Sequence, residues 1–303
     1  MIVRPRPHWL HLLFVRHGSV LGRILPQLLF TTALACAVVL AHGTLFAWKV
    51  TLNTSPFSLM GVALAIFLGF RVNTSYDRYW EARKLWGATL IESRNLARQA
   101  LTQPNSGTDA RPFVLAIVGF AASMRNQLRG QDATTSLAGL LPEALIARLA
   151  EARTGPSLVL LWLGQWIGEQ RGQGRLDPML AQRMEATLDR LGATLGGCER
   201  IANTPLPFTY SVILHRSVYL FCMLLPFGLV DAIGAVTPVV VAFVAYTFFA
   251  MEALSDEIEE PFGEMPNDLA LDAMVTSIET SLREMLGEAP PPMPVPGEDF
   301  VLR

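Results

Sequence analysis

Between Phe57 and Phe70 the chain reads FSLMGVALAIFLGF, fourteen residues without a charge. The next stretch, RVNTSYDRYWEARKLWG, is dense in charge and aromatic side chains. No proline separates the two, and Val72-Asn73-Thr74-Ser75 is a weak helix stop. The pattern predicts one helix that is apolar at one end and charged at the other, so that it passes through two different solvents.

Three further apolar runs share the character of the first half. Ile24–Trp48 contains no Asp, Glu, Lys or Arg. Val212–Val230 is interrupted only by His215-Arg216, and Ile233–Leu254 is charged only at Glu252. About twenty apolar residues span a bilayer, so these runs predict four transmembrane helices arranged as two hairpins. Two shorter runs, Phe113–Ala122 and Leu158–Ile167, are about half that length. They are expected to be buried helices of a soluble domain. Helical patterns rich in Arg and Glu accompany them at Leu140–Arg153 and Pro178–Arg200. The turn signals QPNSGTD (103–109), TGPS (154–157) and RGQGRLDP (171–178) separate them. No alternating strand pattern is present.

The expected fold is therefore an all-α membrane protein. Its segments are an interfacial piece (1–23), a first hairpin (24–82), an inserted helical domain (83–205), a second hairpin (206–256) and a C-terminal segment (257–303). The tail GEAPPPMPVPGEDFVLR is too rich in proline to be helical and is expected to be an extended strap or disordered.

Composition agrees. Charged residues make up 17% of the chain, against about 25% in soluble domains, and the mean hydropathy is +0.35. A net charge of −2 speaks against nucleic-acid binding. Cys36, Cys198 and Cys222 form no CxxC and are expected to be reduced, two of them within spans. Met1–Arg23 mixes Arg4, Arg6, Arg16 and Arg23 with three histidines, so no cleavable signal peptide is expected. Arg and Lys crowd the N-terminal segment and the stretch after Phe70, whereas His42–Pro56 has one Lys and Asp231–Thr237 none. By the positive-inside rule both termini and the inserted domain are cytoplasmic.

No GxSxG, HExxH, Walker loop or GxGxxG is present, and neither an enzyme nor a cofactor is expected. His8, His11 and His17 fit no standard metal spacing. The informative element is the second span. Its fourteen apolar residues cover about 21 Å, short of the roughly 30 Å hydrocarbon core. Gly61, Ala65 and Gly69 form a small-residue ridge that permits close helix approach. Val62, Ile66 and Phe70 recur at the same spacing one position round. Several copies about an axis would stack these three into a hydrophobic neck that gates by dewetting; packing within a helix bundle accounts for the same spacing. Thr54-Ser55-Pro56 reads as N-cap and first turn. Arg216, inside the third run, calls for a carboxylate at matching depth, Glu252 or Asp256; otherwise it snorkels to the cytosolic surface.

Four blocks carry a family resemblance: HWLHLLFVRHGSVLGRILPQLL, PFSLMGVALAIFLGFRVNTSYDRYWEARKLWG, CERIANTPLPFTYSVILHRSVYLFCMLLPFGLV and LSDEIEEPFG. In order and spacing they resemble the bacterial branch of the bestrophin channel family, from Met1 to about residue 285. The resemblance implies a homopentamer in the bacterial inner membrane, with the lipid bilayer, monovalent ions and other copies of the chain as its partners. It implies that Val62, Ile66 and Phe70 are the neck, and that Met179 or Leu180 forms a second, cytosolic aperture. It implies chloride and other anions as permeant ions, with cation-conducting members among close bacterial relatives. Animal members place a calcium-clasping run of aspartates after the PFG block; here Glu264-Met265-Pro266-Asn267-Asp268 keeps only two acids, so no calcium gating is expected. A membrane-anchored scaffold is the reading from another class.

Overall fold

The computed structural model describes residues 1–4, 8–12, 15, 18–41, 44, 45, 48, 49, 54–105 and 107–302. Arg6, Arg16 and His17 lie outside the described residues, and so does much of the 42–53 loop. Among the described residues the regular structure is helical apart from a hairpin of two-residue strands, β1 (Thr44–Leu45) and β2 (Trp48–Lys49). In chain order the helices are α1 (Trp9–Leu12), α2 (Leu21–Leu40), α3 (Thr54–Thr102), α4 (Arg111–Leu128), α5 (Glu143–Ala150), α6 (Gly155–Gly172), α7 (Pro178–Asn203), α8 (Phe208–Ile233), α9 (Thr237–Glu259) and α10 (Leu271–Met285).

The long α3 forms as the pattern requires. It runs unbroken through Val72–Ser75 for 49 residues, about 74 Å at 1.5 Å per residue. Its described part begins at Thr54, with Pro56 as the third residue. Proline is tolerated there because the first turn's N–H groups have no helical acceptor. Asp177 caps α7, its Oδ1 accepting from the Met179 N–H at 2.8 Å. Between α8 and α9 the chain reverses through a 3₁₀ turn beginning at Gly234, whose φ of +54° suits glycine.

Two compact units divide the chain. The apolar unit comprises Pro5–Tyr79 and Pro205–Glu260. Its core joins Ile24 and Ala35 of α2, Phe57 and Leu64 of α3, Val218, Phe221 and Leu225 of α8, and Val241, Ala245 and Phe249 of α9. Phe57 rests on Gly228, where a Cβ would lie 2.6 Å from its ring. Only a glycine allows that approach.

The helical unit comprises Met1–Arg4, Trp80–Thr204 and Pro261–Arg303. The 257–303 stretch expected as a segment of its own thus falls, from Pro261 on, in the same unit as the inserted helices. The α4 helix is the centre of this unit, buried from Phe113 to Asn126. Phe113 packs on Trp166 of α6 with ring centroids 4.3 Å apart, and Gly119 admits Leu141. Asp272 of α10 accepts from Arg125 at 2.9 Å and Arg129 at 2.7 Å. The tail is an extended strap. Ile2 bridges to Val301, and Glu288 takes hydrogen bonds from Arg111 at 2.5 Å and Arg283 at 2.8 Å.

Candidate functional site

The first part of α3 has two unlike faces. Phe57, Leu64, Leu68, Arg71 and Ser75 are buried, at steps of seven, four, three and four residues that keep them on one side. Gly61 sits beside this face, where a Cβ would stand 3.3 Å from the Phe221 ring. One member of the small-residue ridge therefore serves contacts within the chain. Around Gly69 there is open space, and Ala65 is exposed. On the outer side Val62, Ile66 and Phe70 are 60%, 52% and 60% exposed. Each step of four residues turns about 40° beyond a full circle, so the three side chains form one shallow stripe. The neighbouring Phe67 is also exposed, and its carbonyl accepts from the Tyr210 hydroxyl at 3.1 Å.

Directly after the stripe the helix turns a cation inward. Arg71 is 4% exposed and meets three carboxylates, Asp256 at 2.5 Å, Glu259 at 3.5 Å and Glu252 at 4.0 Å. Arg23 adds a second contact to Asp256 at 2.9 Å, and His215 Nδ1 lies 2.7 Å from Glu252. A pocket of about 290 Å³ opens beside Arg71, Phe208, His215 and Arg216.

This arrangement corrects the expected Arg216 pair. Among the described residues Arg216 makes no ion pair; it is exposed, while Glu252 and Asp256 bond to Arg71, His215 and Arg23. Depth matching identified the right level of the helices but ignored azimuth. On α8 the buried positions nearest in sequence are Leu214, Val218, Phe221 and Cys222, and Arg216 stands about 200° round from Leu214. The buried acid is met instead by the base that faces inward, Arg71 of α3. Its position as the first charge after a fourteen-residue apolar run was the available signal.

In the helical unit Met179 is 74% exposed and Leu180 half-buried at the start of α7. The Glu264 carboxylate accepts from Gln131 Nε2 at 3.0 Å, and Asp268 Oδ2 accepts from the Met265 N–H at 2.7 Å. His11 follows His8 in a backbone turn. Cys36, Cys198 and Cys222 are free thiols, and burial pushes the Cys198 thiol up to about 12.

Long apolar helical segments at Leu21–Leu40, Ser55–Thr102 and Phe208–Glu259 have the length and composition to cross a membrane. Together with an exposed apolar stripe and a buried ion network, they define an all-helical membrane protein. Residues 1–284 match the family model described as bacterial/fungal bestrophin protein, and the chain belongs to the bestrophin family. It is 46% identical over 291 residues to a voltage-dependent anion channel-forming protein of Ralstonia nicotianae, covering 95% of each chain. It is 43% identical over 289 residues to the voltage-dependent anion channel-forming protein YneE of Escherichia coli K12, again covering 95% of each. The crystal structure of a bacterial bestrophin homolog from Klebsiella pneumoniae superposes with a TM-score of 0.84 at 41% identity, over 88% of this chain and 100% of that one. The family resemblance read from the four sequence blocks is thereby borne out.

Proposed function

We propose that the chain is the subunit of a passive ion channel whose path is walled by α3, with Val62, Ile66 and Phe70 as its hydrophobic neck. The observation that carries this reading is the stripe. Three large apolar side chains lie exposed in line on a helix whose opposite face is packed into the apolar core. A single helix cannot enclose a hole, so the reading requires copies about an axis, and the resemblance suggests five. In this reading α2, the first part of α3, α8 and α9 are four spans, and both termini and the helical unit lie on the cytoplasmic side of a bacterial inner membrane. Met179 suits the second aperture better than Leu180 because its side chain is the exposed one. Channel opening is independent of calcium. That is supported by Glu264 and Asp268, which bond to Gln131 and to the Met265 N–H, with Met265 and Pro266 between them.

The names of the relatives favour anions as the permeant ions, and the resemblance puts chloride first among them. A second reading, monovalent cations, is favoured by one observation, the exposed carboxylate of Asp77 below the stripe. A membrane scaffold is the remaining reading and needs no stripe. Purified protein in a planar bilayer under a KCl gradient separates all three. A current is expected, and its reversal potential names the ion. Replacing Val62, Ile66 and Phe70 together by Ala should raise conductance while assembly persists. No current from assembled protein would favour the scaffold, and an unchanged conductance in the triple variant would remove the neck assignment.

A further inference from the structure

The neck is uncharged and makes no electrostatic choice between chloride and potassium. The first ionisable side chain beyond it on the same face is Asp77. Counting down α3 from Phe70 at three- to four-residue steps gives Asn73 and then Asp77, both exposed. Asp77 follows Phe70 by seven residues, almost two whole turns and about 10.5 Å along the axis. It therefore stands nearly beneath the neck side chains. Val62, Ile66, Phe70 and Asp77 all belong to the apolar unit.

No described side chain neutralises the charge of Asp77. Among the described residues it makes no ion pair or hydrogen bond. Its helical neighbours three and four residues away are Asn73, Thr74, Trp80 and Glu81, none of them basic. Arg71 and Arg78 are engaged elsewhere, and Arg83 stands about 120° round the helix from Asp77. Arg71 is buried against Asp256, Glu259 and Glu252, and Arg78 Nε donates to the Glu259 carbonyl at 3.0 Å. The next basic residue at the spacing of the stripe is Lys84, about 10.5 Å further along the helix, roughly a Debye length at 0.1 M salt.

We propose that Asp77 sets the ion preference of the channel: repeated around the axis, it forms a ring of carboxylates at the cytosolic mouth of the neck that concentrates monovalent cations and turns back anions. This inference rests on the neck reading and takes the cation reading in place of the anion reading that the relatives' names favour. Rings of Asp or Glu select cations in pores, and several like charges sharing a narrow mouth raise the local counter-ion concentration. The apolar constriction strengthens the effect, because an ion leaving bulk water at a neck is screened less than one in the open.

The test compares the potassium-to-chloride permeability ratio of the parent, Asp77→Asn and Asp77→Lys in planar bilayers under a KCl gradient, with Glu151→Gln, an exposed carboxylate of the helical unit, as control. The parent should favour potassium. Asp77→Asn should lower the ratio about three- to tenfold, and Asp77→Lys should carry it below one. The control should keep the parent ratio. A measurement that needs no variant accompanies these. The parent's ratio should fall toward one as salt rises from about 0.1 M to 1 M, where the Debye length shrinks from about 10 Å to 3 Å. A parent current whose ratio is the same in all three proteins, or at both salt concentrations, overturns the role of Asp77 and leaves the channel standing. Absence of current from the assembled parent overturns the channel reading itself.

Discussion

The α4 helix and the first part of α3 contain runs of similar hydrophobicity and have opposite fates. Phe113–Ala122 disappears into the helical unit, and Ile117, Val118 and Phe120 are completely covered. Phe57–Phe70 buries Phe57, Leu64 and Leu68 and leaves Val62, Ile66, Phe67 and Phe70 more than half exposed. Water does not tolerate so large an apolar surface on an isolated soluble chain. Burial of α4 is complete within one chain, whereas burial of α3 is completed by lipid, by other copies or by a narrow pore. Hydropathy alone does not distinguish the two. Length and flanking sequence do, since α4 is bracketed by turn signals and α3 runs on as a charged helix.

The largest effect is expected where burial is complete. Phe120→Ala should destabilise the folded protein by about 3–5 kcal/mol, seen as a large fall in melting temperature in detergent. Ile66→Ala should cost under about 1 kcal/mol, because an exposed side chain leaves no cavity behind. Similar losses at the two positions would break the comparison.

Next come the charges at the lower end of the same α3 stretch. Arg71→Met should cost about 2–3 kcal/mol, less than the 3–5 of a fully buried pair because Asp256 is partly exposed. Arg216→Met should be nearly neutral. Thermal stability of the assembled protein measures both. A reversed order would restore Arg216 as the partner of Glu252 or Asp256.

The smallest effect belongs to the strap of the helical unit. The Arg111 and Arg283 guanidinium groups hold the Glu288 carboxyl below its ordinary value. A depressed folded pKa contributes stability at pH above the unfolded value near 4.5, and that contribution is lost as pH falls through the folded one. Amide exchange near Glu288 should therefore rise below about pH 4.5 in the parent. In Glu288→Gln it should be raised at neutral pH already and should change less on acidification. Identical profiles would show that the strap is held by other contacts.

Much of this was legible in the sequence, for identifiable reasons. Long uncharged runs locate the helices of the apolar unit, because few other structures tolerate them. The Asp177-Pro178 pair marks the start of α7, since a capping acid followed by proline has one favourable geometry. The Val62–Ile66–Phe70 stripe follows from helical period alone. The Arg71 network was not legible, because helix azimuth depends on packing partners that local sequence does not specify. The fit of Phe57 against Gly228 and the bridge from Ile2 to Val301 were hidden for the same reason. They join residues far apart in the chain, and no periodicity links them.

A pore-lining stripe faces water, and cysteine accessibility tests that directly. Ile66→Cys and Phe67→Cys would be made in a Cys36→Ala background, since Cys36 is exposed. The remaining thiols, Cys198 and Cys222, are buried. Each variant would carry current in a planar bilayer while a small, charged, water-soluble methanethiosulfonate is added. Progressive block is expected at Ile66→Cys and little change at Phe67→Cys, one position round the helix. Block at Phe67→Cys with none at Ile66→Cys would mean that the stripe faces lipid or a neighbouring copy and that the pore is elsewhere.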